Sequence, residues 1–418
     1  MPKVKSIMKA FFDNIDLLAL LVFSIFIGCY LIDTTVIAKN YEMVVTFLKI
    51  ARYSCYCFFA VKVITDVLME KKISIIMVIA VAVSLGVFVS AKNITFAFSV
   101  LMLCAFRNID VKRVAKWCFW VMCPLFFTVV VLSLLGVIPD WTFAREEIVR
   151  HSLGFTYPTD AFAVYLSVVI LGTVAFWVKI PYIVIFMAEA VNFGLYWFTD
   201  GRFSFILVTL ILFVLSVLKL LYSKVNRFEE TTNKLLTNKA VGVAFVCVPF
   251  LFLVGSVALV LMYKNNVNIA ITINQLLSDR LIHASKALSN YPLLPFGAFV
   301  EWKGFGGIGY AEAVPEDFLN TYNFVDISYI RGLFDFGIIP TVLIVLGYGL
   351  AIKKAAQKKE LVLVLALLAT VLWCFVEPFM FTLGKNVMAV CLAQFMNNLN
   401  ITAKPITYLG DKFEKMLK

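Results

Sequence analysis

The segment 145–160 gathers residues that suit the binding of a phosphate group. It contains Arg145, Arg150, His151 and Ser152, and it leads into an apolar stretch through a proline. Guanidinium forks and the free N–H groups of a helix N-terminus both favour phosphate oxygens. A solvated loop ahead of a helix would explain the same residues, so composition alone leaves both interpretations open.

Arg202 directly follows the turn Thr199-Asp-Gly201, which joins two other apolar stretches. An arginine held between two membrane spans by a tight turn lies in the headgroup region, where lipid phosphates are found. Snorkelling of a long cationic side chain to the interface is the alternative explanation.

These residues belong to a chain of 418 residues that is 62% hydrophobic and 15% charged, with a mean hydropathy of +0.93. An ordinary soluble domain is about 45–50% apolar and about 25% charged, and its core stops growing at roughly 250–300 residues. We therefore exclude a soluble enzyme, a disordered scaffold and a nucleic-acid-binding module. The sequence predicts one all-α polytopic integral membrane domain over residues 1–418, and basic cytoplasmic loops explain the net charge of +11.

A bilayer core about 30 Å thick needs roughly 20 apolar residues for each helical span. The larger share of lysine and arginine falls in alternate loops, so the positive-inside rule places both termini in the cytoplasm and the loops 139–158 and 264–325 outside. The sequence predicts about twelve spans, at residues 16–38, 43–69, 73–90, 94–106, 114–138, 159–178, 180–198, 203–222, 240–263, 327–352, 361–376 and 387–401.

The loop 264–325, between the ninth and tenth spans, is far longer than the other connections, and loops of that length are usually functional. Trp302 in its second half suits stacking on a sugar ring, although aromatic residues are also common at membrane interfaces. Its first part, 268–290, has apolar residues at helical spacing and predicts an amphipathic helix on the outer surface. The charged or titratable residues of that helix are Asp279, Arg280, His283 and Lys286.

Charged residues also occur inside or at the edge of predicted spans. Lys49 and Arg52 share one face of the second span, and we expect them to face the interior of the bundle. Arg331 and Asp335 stand at positions i and i+4 of a predicted helix, which favours an ion pair. Asp326, ahead of them, is then expected to be a free carboxylate. The nine cysteines lie in apolar stretches and only two histidines are present, so we expect neither a disulfide framework nor a metal site.

Taken in chain order, these motifs resemble the O-antigen polymerase and ligase superfamily, and within it the Wzy-type polysaccharide polymerases. The resemblance runs from about Arg145 to Gly337, and the rest of the chain matches only as hydrophobic spans. The matching segments are Arg150-His-Ser-Leu-Gly-Phe-x-x-Pro158, Thr199-Asp-Gly-Arg202, Ser278-Asp-Arg280 ahead of Pro295-Phe-Gly297, and Val325-Asp-x-Ser-Tyr329 followed by Gly332 and Gly337.

The resemblance implies a GT-C-like glycosyltransferase that needs neither a metal ion nor another cofactor. It would lie in the bacterial cytoplasmic (inner) membrane with its active site on the external face. Donor and acceptor would be glycans carried on undecaprenyl pyrophosphate, polymerised into a capsular or O-antigen-type polysaccharide, and a chain-length regulator is a further possible partner. Arginines at the positions of Arg150, Arg202 and Arg280 would hold the pyrophosphate.

The general base is left open by the resemblance. Ligases of the superfamily carry a histidine where this sequence has Asp326, which favours a polymerase and makes Asp326 the first candidate. His283 is the second candidate and Glu301 the third. The further candidate substrate-binding residues are Arg145, His151, Ser152, Trp302, Tyr329, Lys49 and Arg52.

Two other functions stay open from the sequence. A ligase of the same superfamily would transfer a finished glycan to a different acceptor. A transporter or lipid-linked glycan flippase belongs to another class, and it is disfavoured because we find neither internal symmetry nor paired Gly/Pro-broken spans.

Overall fold

The computed structural model describes residues 14–145, 148–304, 322–402 and 404–417, and these are mostly α-helical. The helices are, in chain order, α1 (Ile15–Asp33), α2 (Val36–Asn40), α3 (Glu42–Glu70), α4 (Ile75–Ala91), α5 (Ile94–Ala105), α6 (Val111–Leu134), α7 (Pro158–Phe176), α8 (Tyr182–Thr199), α9 (Arg202–Lys224), α10 (Phe228–Leu236), α11 (Lys239–Lys264), α12 (Asn268–Leu276), α13 (Arg280–Asn290), α14 (Ser328–Asp335), α15 (Ile338–Gln357), α16 (Leu361–Trp373) and α17 (Lys404–Leu417). Short 3-10 helices cover Trp177–Lys179 and Val387–Phe395.

The few strands form two small antiparallel pairs. β1 (Ile73–Ser74) pairs with β4 (Asn400–Ile401). β2 (Thr142–Arg145) and β3 (Ile148–His151) form a hairpin. The first pair joins the start of α4 to the segment ahead of α17, and the second lies between α6 and α7.

The described helices confirm that the chain is an all-α polytopic membrane protein. Eight of them are long and apolar enough to cross a membrane: α1, α3, α6, α7, α8, α9, α11 and α15. Three shorter apolar helices, α4, α5 and α16, lie among them. Large apolar side chains such as Phe186, Met187 and Trp197 of α8 are exposed on the outside of the bundle, as expected for a surface that faces lipid. α7 is instead enclosed by the other helices, because most of its residues are buried.

Three predicted spans differ from the structure. The first, 16–38, is interrupted at Thr34-Thr35 and forms α1 and α2. The last one, 387–401, is not an α-helix, because Val387–Phe395 is a 3-10 helix that is followed by β4. The tenth, 327–352, is interrupted at Phe336-Gly337 and forms α14 and α15.

A backbone crossing causes the interruption between α14 and α15. Gly337 has φ +93°, and a Cβ atom there would lie 2.2 Å from the backbone nitrogen of Gly297. The N–H groups of Ile338 and Ile339 donate to the carbonyls of Leu294 and Pro295, each at 3.1 Å. The external loop thus satisfies donors that the start of a helix leaves open. Gly297 and Gly337 of the sequence motifs are therefore explained by close packing of two backbones.

Ion pairs show which connections lie at the same end of the bundle. At one end, Lys71 of the α3–α4 connection lies 2.7 Å from Asp411 of α17, and Lys112 lies 2.8 Å from Glu360. At the other end, Arg52 pairs with Asp33 at 2.8 Å. Loops that the sequence assigns to one side of the membrane are therefore grouped together, and the identity of the cytoplasmic side stays a prediction from loop charge.

Candidate functional site

Arg280 is the centre of a charged cluster at the end of the bundle that the sequence predicts to be external. Its side chain is only 14% exposed, and its Nη2 lies 3.1 Å from Glu377 Oε1. Its Nε lies 3.5 Å from Asp326 Oδ2, and its Nη1 donates to the carbonyl of Val376. One guanidinium thus joins α13, the segment ahead of α14 and the non-helical segment 374–386. We call Arg280, Asp326, Glu377 and His283 the Arg280 cluster.

The local fold at the start of α13 holds Arg280 in place. The predicted helix 268–290 is broken there, because Ser278 and Asp279 have φ values of +56° and +64° and separate α12 from α13. The Asn274 amide donates to Asp279 Oδ1 at 2.7 Å, and its oxygen accepts the N–H of Leu281 at 3.0 Å. The amphipathic helix of the prediction is therefore two helices, and the turn between them aims Arg280 at the segment 374–386.

Glu377 was missed by sequence reasoning. It follows the end of α16, its side chain is 9% exposed, and its backbone carbonyl accepts the hydroxyl of Ser328. Burial raises the pKa of Glu377 to about 7, the charge of Arg280 lowers it in part, and Asp326 raises it further. The only signal in the sequence is an acid placed directly after an apolar stretch at the predicted external end.

Asp326 is not the free carboxylate that the sequence suggested, because it faces Arg280. Burial lowers the pKa of Arg280, but Glu377 and Asp326 together raise it by more, so the guanidinium stays charged. A half-buried carboxylate at this position can accept a proton from a nearby hydroxyl.

His283 lies one turn after Arg280 on α13, and its ring centroid is 4.6 Å from that of Tyr322. Within the described residues its buried Nδ1 has no hydrogen-bond partner. Burial lowers the pKa of His283, and the charge of Asp326 offsets part of this effect. A neutral imidazole with an open nitrogen retains the capacity to act as a base.

Arg150 and Arg202 each contact a residue at the turn between α8 and α9. Arg150 is buried, and its Nε donates to the carbonyl of Thr199 at 2.7 Å. Arg202 is 52% exposed, and its Nε lies 3.1 Å from Asp200 Oδ1. The Arg150 guanidinium lies 5.6 Å from the ring centroid of Tyr157, which is close enough to Arg280 to act on it electrostatically. The three predicted pyrophosphate arginines are therefore at one end of the bundle, with Tyr157 between Arg150 and Arg280.

The structure gives His151 and Ser152 contacts within their own loop. His151 Nδ1 lies 2.6 Å from Asp140 Oδ2, and Ser152 Oγ accepts the N–H of Trp141 at 3.0 Å. Asp140 Oδ1 also accepts the N–H of Leu153 at 2.8 Å. These bonds fasten the base of the β2–β3 hairpin that carries Arg150. Substrate binding by His151 and Ser152 stays a prediction.

The predicted ion pair between Arg331 and Asp335 is confirmed, with Nε 2.9 Å from Oδ2. The indole N–H of Trp302 donates to the same carboxylate. The Arg331 guanidinium lies 5.3 Å from the Trp302 ring centroid and 4.3 Å from that of Phe324. A cation therefore stands over the Trp302 ring where the sequence suggested a sugar, and sugar stacking by Trp302 stays a prediction.

Two predicted substrate-binding residues are oriented differently from our expectation. Tyr329 is 1% exposed, and its hydroxyl donates to the Val371 carbonyl at 2.8 Å, so it is a residue of the bundle core. Lys49 is exposed on α3 and does not face the bundle interior.

The remaining candidates lie away from the Arg280 cluster or outside the described side chains. Arg52 is held by Asp33 and lies 5.9 Å from the ring centroid of Tyr30. Glu301 is exposed. The backbone of Arg145 pairs with Ile148 in the hairpin, whereas its side chain lies outside what the structure describes.

A second ion pair lies beside the cluster. Lys385 Nζ is 2.8 Å from Asp160 Oδ1 at the start of α7, and Thr156 donates to Oδ2 of the same carboxylate at 3.1 Å. Lys385 is close enough to Glu377 for the two charges to interact. The pair fixes the far end of the segment 374–386 against α7, and so supports the position of Glu377.

In the described parts of the chain, no group of three or more His, Cys, Asp or Glu side chains is arranged to hold a metal ion. Comparison with protein-family models, with curated proteins and with solved structures finds no match for this chain. Function is therefore inferred from the Arg280 cluster and from the membrane-embedded helices around it.

Proposed function

We propose that the protein is a membrane glycosyltransferase that polymerises undecaprenyl-pyrophosphate-linked oligosaccharide repeat units into a capsular or O-antigen-type polysaccharide. The observation that carries the proposal is the largely buried Arg280, which is joined to Glu377 and Asp326 at the same bundle end as Arg150 and Arg202. Arginines at the end of a membrane bundle suit a ligand whose diphosphate lies at the lipid headgroups.

The proposed reaction assigns a role to each charged group. The acceptor hydroxyl oxygen bonds to the anomeric carbon of the donor glycan, and the bond from that carbon to the diphosphate breaks with its electron pair on the diphosphate. Arg280, Arg150 and Arg202 stabilise the negative charge that develops there. Asp326 takes the hydroxyl proton, with His283 as the second candidate base.

The membrane arrangement is part of the same proposal. The fold is GT-C-like with about twelve crossings, in which α16 and the segment around Val387–Phe395 form a last, short pair. The protein lies in the bacterial cytoplasmic membrane with both termini inside, and the Arg280 cluster faces outward. The ion pairs of Lys71 with Asp411 and of Lys112 with Glu360 each join two regions predicted to be cytoplasmic, which supports the alternation of sides on which this arrangement depends.

The alternative explanation is a purely structural role, in which the Arg280 ion pairs only stabilise the fold. Structural ion-pair networks also shift pKa values. The arrangement around Arg331 is a natural comparison, because its pair with Asp335 lies within one helix and needs no ligand to explain it. A role for the cluster in catalysis therefore requires that Arg280 and Arg331 respond differently to substitution.

Purified protein in liposomes, supplied with undecaprenyl-pyrophosphate-linked repeat units, tests the proposal. Separation of the products by size should give a ladder of glycans that differ by one repeat unit. Transfer of a single preformed chain to a foreign acceptor would identify a ligase instead. Translocation of unchanged glycan across the bilayer would identify a flippase and would exclude both enzymes.

A further inference from the structure

The carboxylates of Glu377 and Asp326 occupy the Arg280 guanidinium. A guanidinium offers five N–H donors, and Arg280 directs its three nitrogens toward Glu377, Asp326 and the Val376 carbonyl. A diphosphate that binds Arg280 through two oxygens must displace at least one of these acceptors. The contact with Glu377, at 3.1 Å, is shorter than the contact with Asp326, at 3.5 Å.

The charges that face Glu377 come from each element packed around it. Arg280 approaches from α13, and Asp326 from the segment ahead of α14. Lys385 lies at the end of the same non-helical segment and is neutralised by Asp160 of α7. His283, on α13, is close enough to Asp326 for the two groups to interact electrostatically. Arg280 is therefore the cation on which the ionised form of Glu377 mainly depends.

A diphosphate would add negative charge to this group and would take over part of the Arg280 guanidinium. Both changes disfavour the ionised form of the neighbouring carboxylates. Glu377 is the more buried of the two, since its side chain is 9% exposed against 26% for Asp326. Desolvation therefore makes Glu377 the group that becomes neutral.

We propose that Glu377 is a proton-linked placeholder for the diphosphate, which holds Arg280 through their ion pair and takes up one proton from solvent when a diphosphate binds. The inference rests on the proposed function, because it assumes that Arg280 binds a diphosphate. The new carboxyl O–H bond forms as the proton donor in solution loses its bond to that proton, and no other covalent bond changes. The protonated carboxyl is then a hydrogen-bond donor toward the diphosphate.

The raised pKa of Glu377 makes the uptake measurable near neutral pH. Burial raises that pKa to about 7, so most Glu377 side chains are ionised at pH 8. A further rise on binding then draws in a large fraction of one proton. Above pH 7, affinity for the diphosphate should fall by about tenfold for each unit of pH, as expected for uptake of one proton.

Calorimetric titration of the purified protein with P1,P2-dimethyl diphosphate tests the inference. This diester has two negative charges and no titrating group near neutral pH, as in a lipid-diphosphate-sugar. Titrations at pH 8 in two buffers with different ionisation enthalpies give the number of protons taken up. We expect a value approaching one for the natural protein, near zero for Glu377→Gln with binding retained, and uptake restored in Glu377→Asp.

Asp335→Asn is the matched control. It neutralises a carboxylate that is paired with Arg331 rather than with Arg280, so it should leave the proton uptake unchanged. Binding without proton uptake in the natural protein, or equal uptake in Glu377→Gln, would overturn the role of Glu377 and leave the proposed function standing. Absence of any binding by the natural protein would contradict the diphosphate site itself, and with it both proposals. If Glu377→Gln does not fold, the pH dependence of affinity in the natural protein and in Glu377→Asp decides the question.

Discussion

At the scale of single residues, Arg280 and Arg331 differ in where their carboxylate partners lie along the chain. The pair between Arg331 and Asp335 could be predicted because four residues span one helical turn. The contact between Arg280 and Glu377 joins residues 97 positions apart, and one partner lies in a segment without regular structure. No periodic pattern reports such a contact, so the sequence yielded the arginine and missed its main acceptor.

The raised pKa of Glu377 has a consequence for stability. A carboxyl group that binds its proton more tightly in the folded than in the unfolded protein stabilises the fold at low pH, and this contribution is lost as pH rises through 7. Glu377→Gln should therefore raise the melting temperature relative to the natural protein, and more so at pH 8 than at pH 5.

Thermal unfolding in detergent, followed by circular dichroism at both pH values, measures this difference. Glu301→Gln is the control, because Glu301 is exposed and its substitution should shift neither curve. An equal effect of Glu377→Gln at the two pH values would show that Glu377 is not protonated near neutrality.

Arg202 offers a test of the arginine fork that is independent of burial, since half of its side chain is exposed. Lysine keeps the charge but loses the planar pair of donors that matches two phosphate oxygens. We expect Arg202→Lys to reduce glycan polymerisation by at least about tenfold, as for the loss of a contact of 1.4 kcal/mol or more to the developing charge. Full activity of this variant would remove Arg202 from the site.

At the scale of elements, the run of apolar residues predicted most helices but not their interruptions. The break before α15 depends on the backbone of residues 294–298, which crosses it from a loop about forty positions earlier. Likewise, the 3-10 helix Val387–Phe395 is as apolar as an α-helical span, and nothing in its composition distinguishes the two. Helix interruptions of this kind depend on contacts with distant segments of the chain. The spacing of apolar residues therefore could not predict them.

The close approach of the two backbones at Gly337 predicts that adding one methyl group there would destabilise the fold. Gly337→Ala would place a Cβ atom 2.2 Å from the backbone nitrogen of Gly297 at φ +93°, so the loop and α15 would have to separate. We expect a loss of more than about 2 kcal/mol in stability, seen as a lower melting temperature. Gly194→Ala in α8 is the matched control, because nothing lies within 4 Å of its added Cβ, and it should be neutral or stabilising.

At the scale of the whole molecule, composition was sufficient to predict a helical membrane protein, and loop charge was sufficient to predict which connections share a side. The ion pairs of Lys71 with Asp411 and of Lys112 with Glu360 connect loops that the sequence had assigned to one face. The absolute orientation still depends on the positive-inside rule. Lys286 of α13 and Lys358 after α15 are exposed at opposite predicted faces.

Labelling of intact cells with a membrane-impermeant maleimide tests that orientation. Lys286→Cys should react in intact cells, whereas Lys358→Cys should react only after the membrane is permeabilised. The unsubstituted chain, with its nine native cysteines, gives the background. The reverse pattern would place the Arg280 cluster in the cytoplasm, where it would not meet an external lipid-linked glycan.

We propose that the Arg280 cluster catalyses the transfer of glycan from a lipid diphosphate. The most direct measurement is the amount of undecaprenyl pyrophosphate released for each new glycosidic bond, in liposomes that contain the natural protein, Arg280→Lys or the matched variant Arg331→Lys. We predict one carrier released per bond with the natural protein, a loss of release of at least about a hundredfold in Arg280→Lys, and much milder loss in Arg331→Lys. Release at the natural rate by a folded Arg280→Lys protein, or bond formation without carrier release, would contradict the claim.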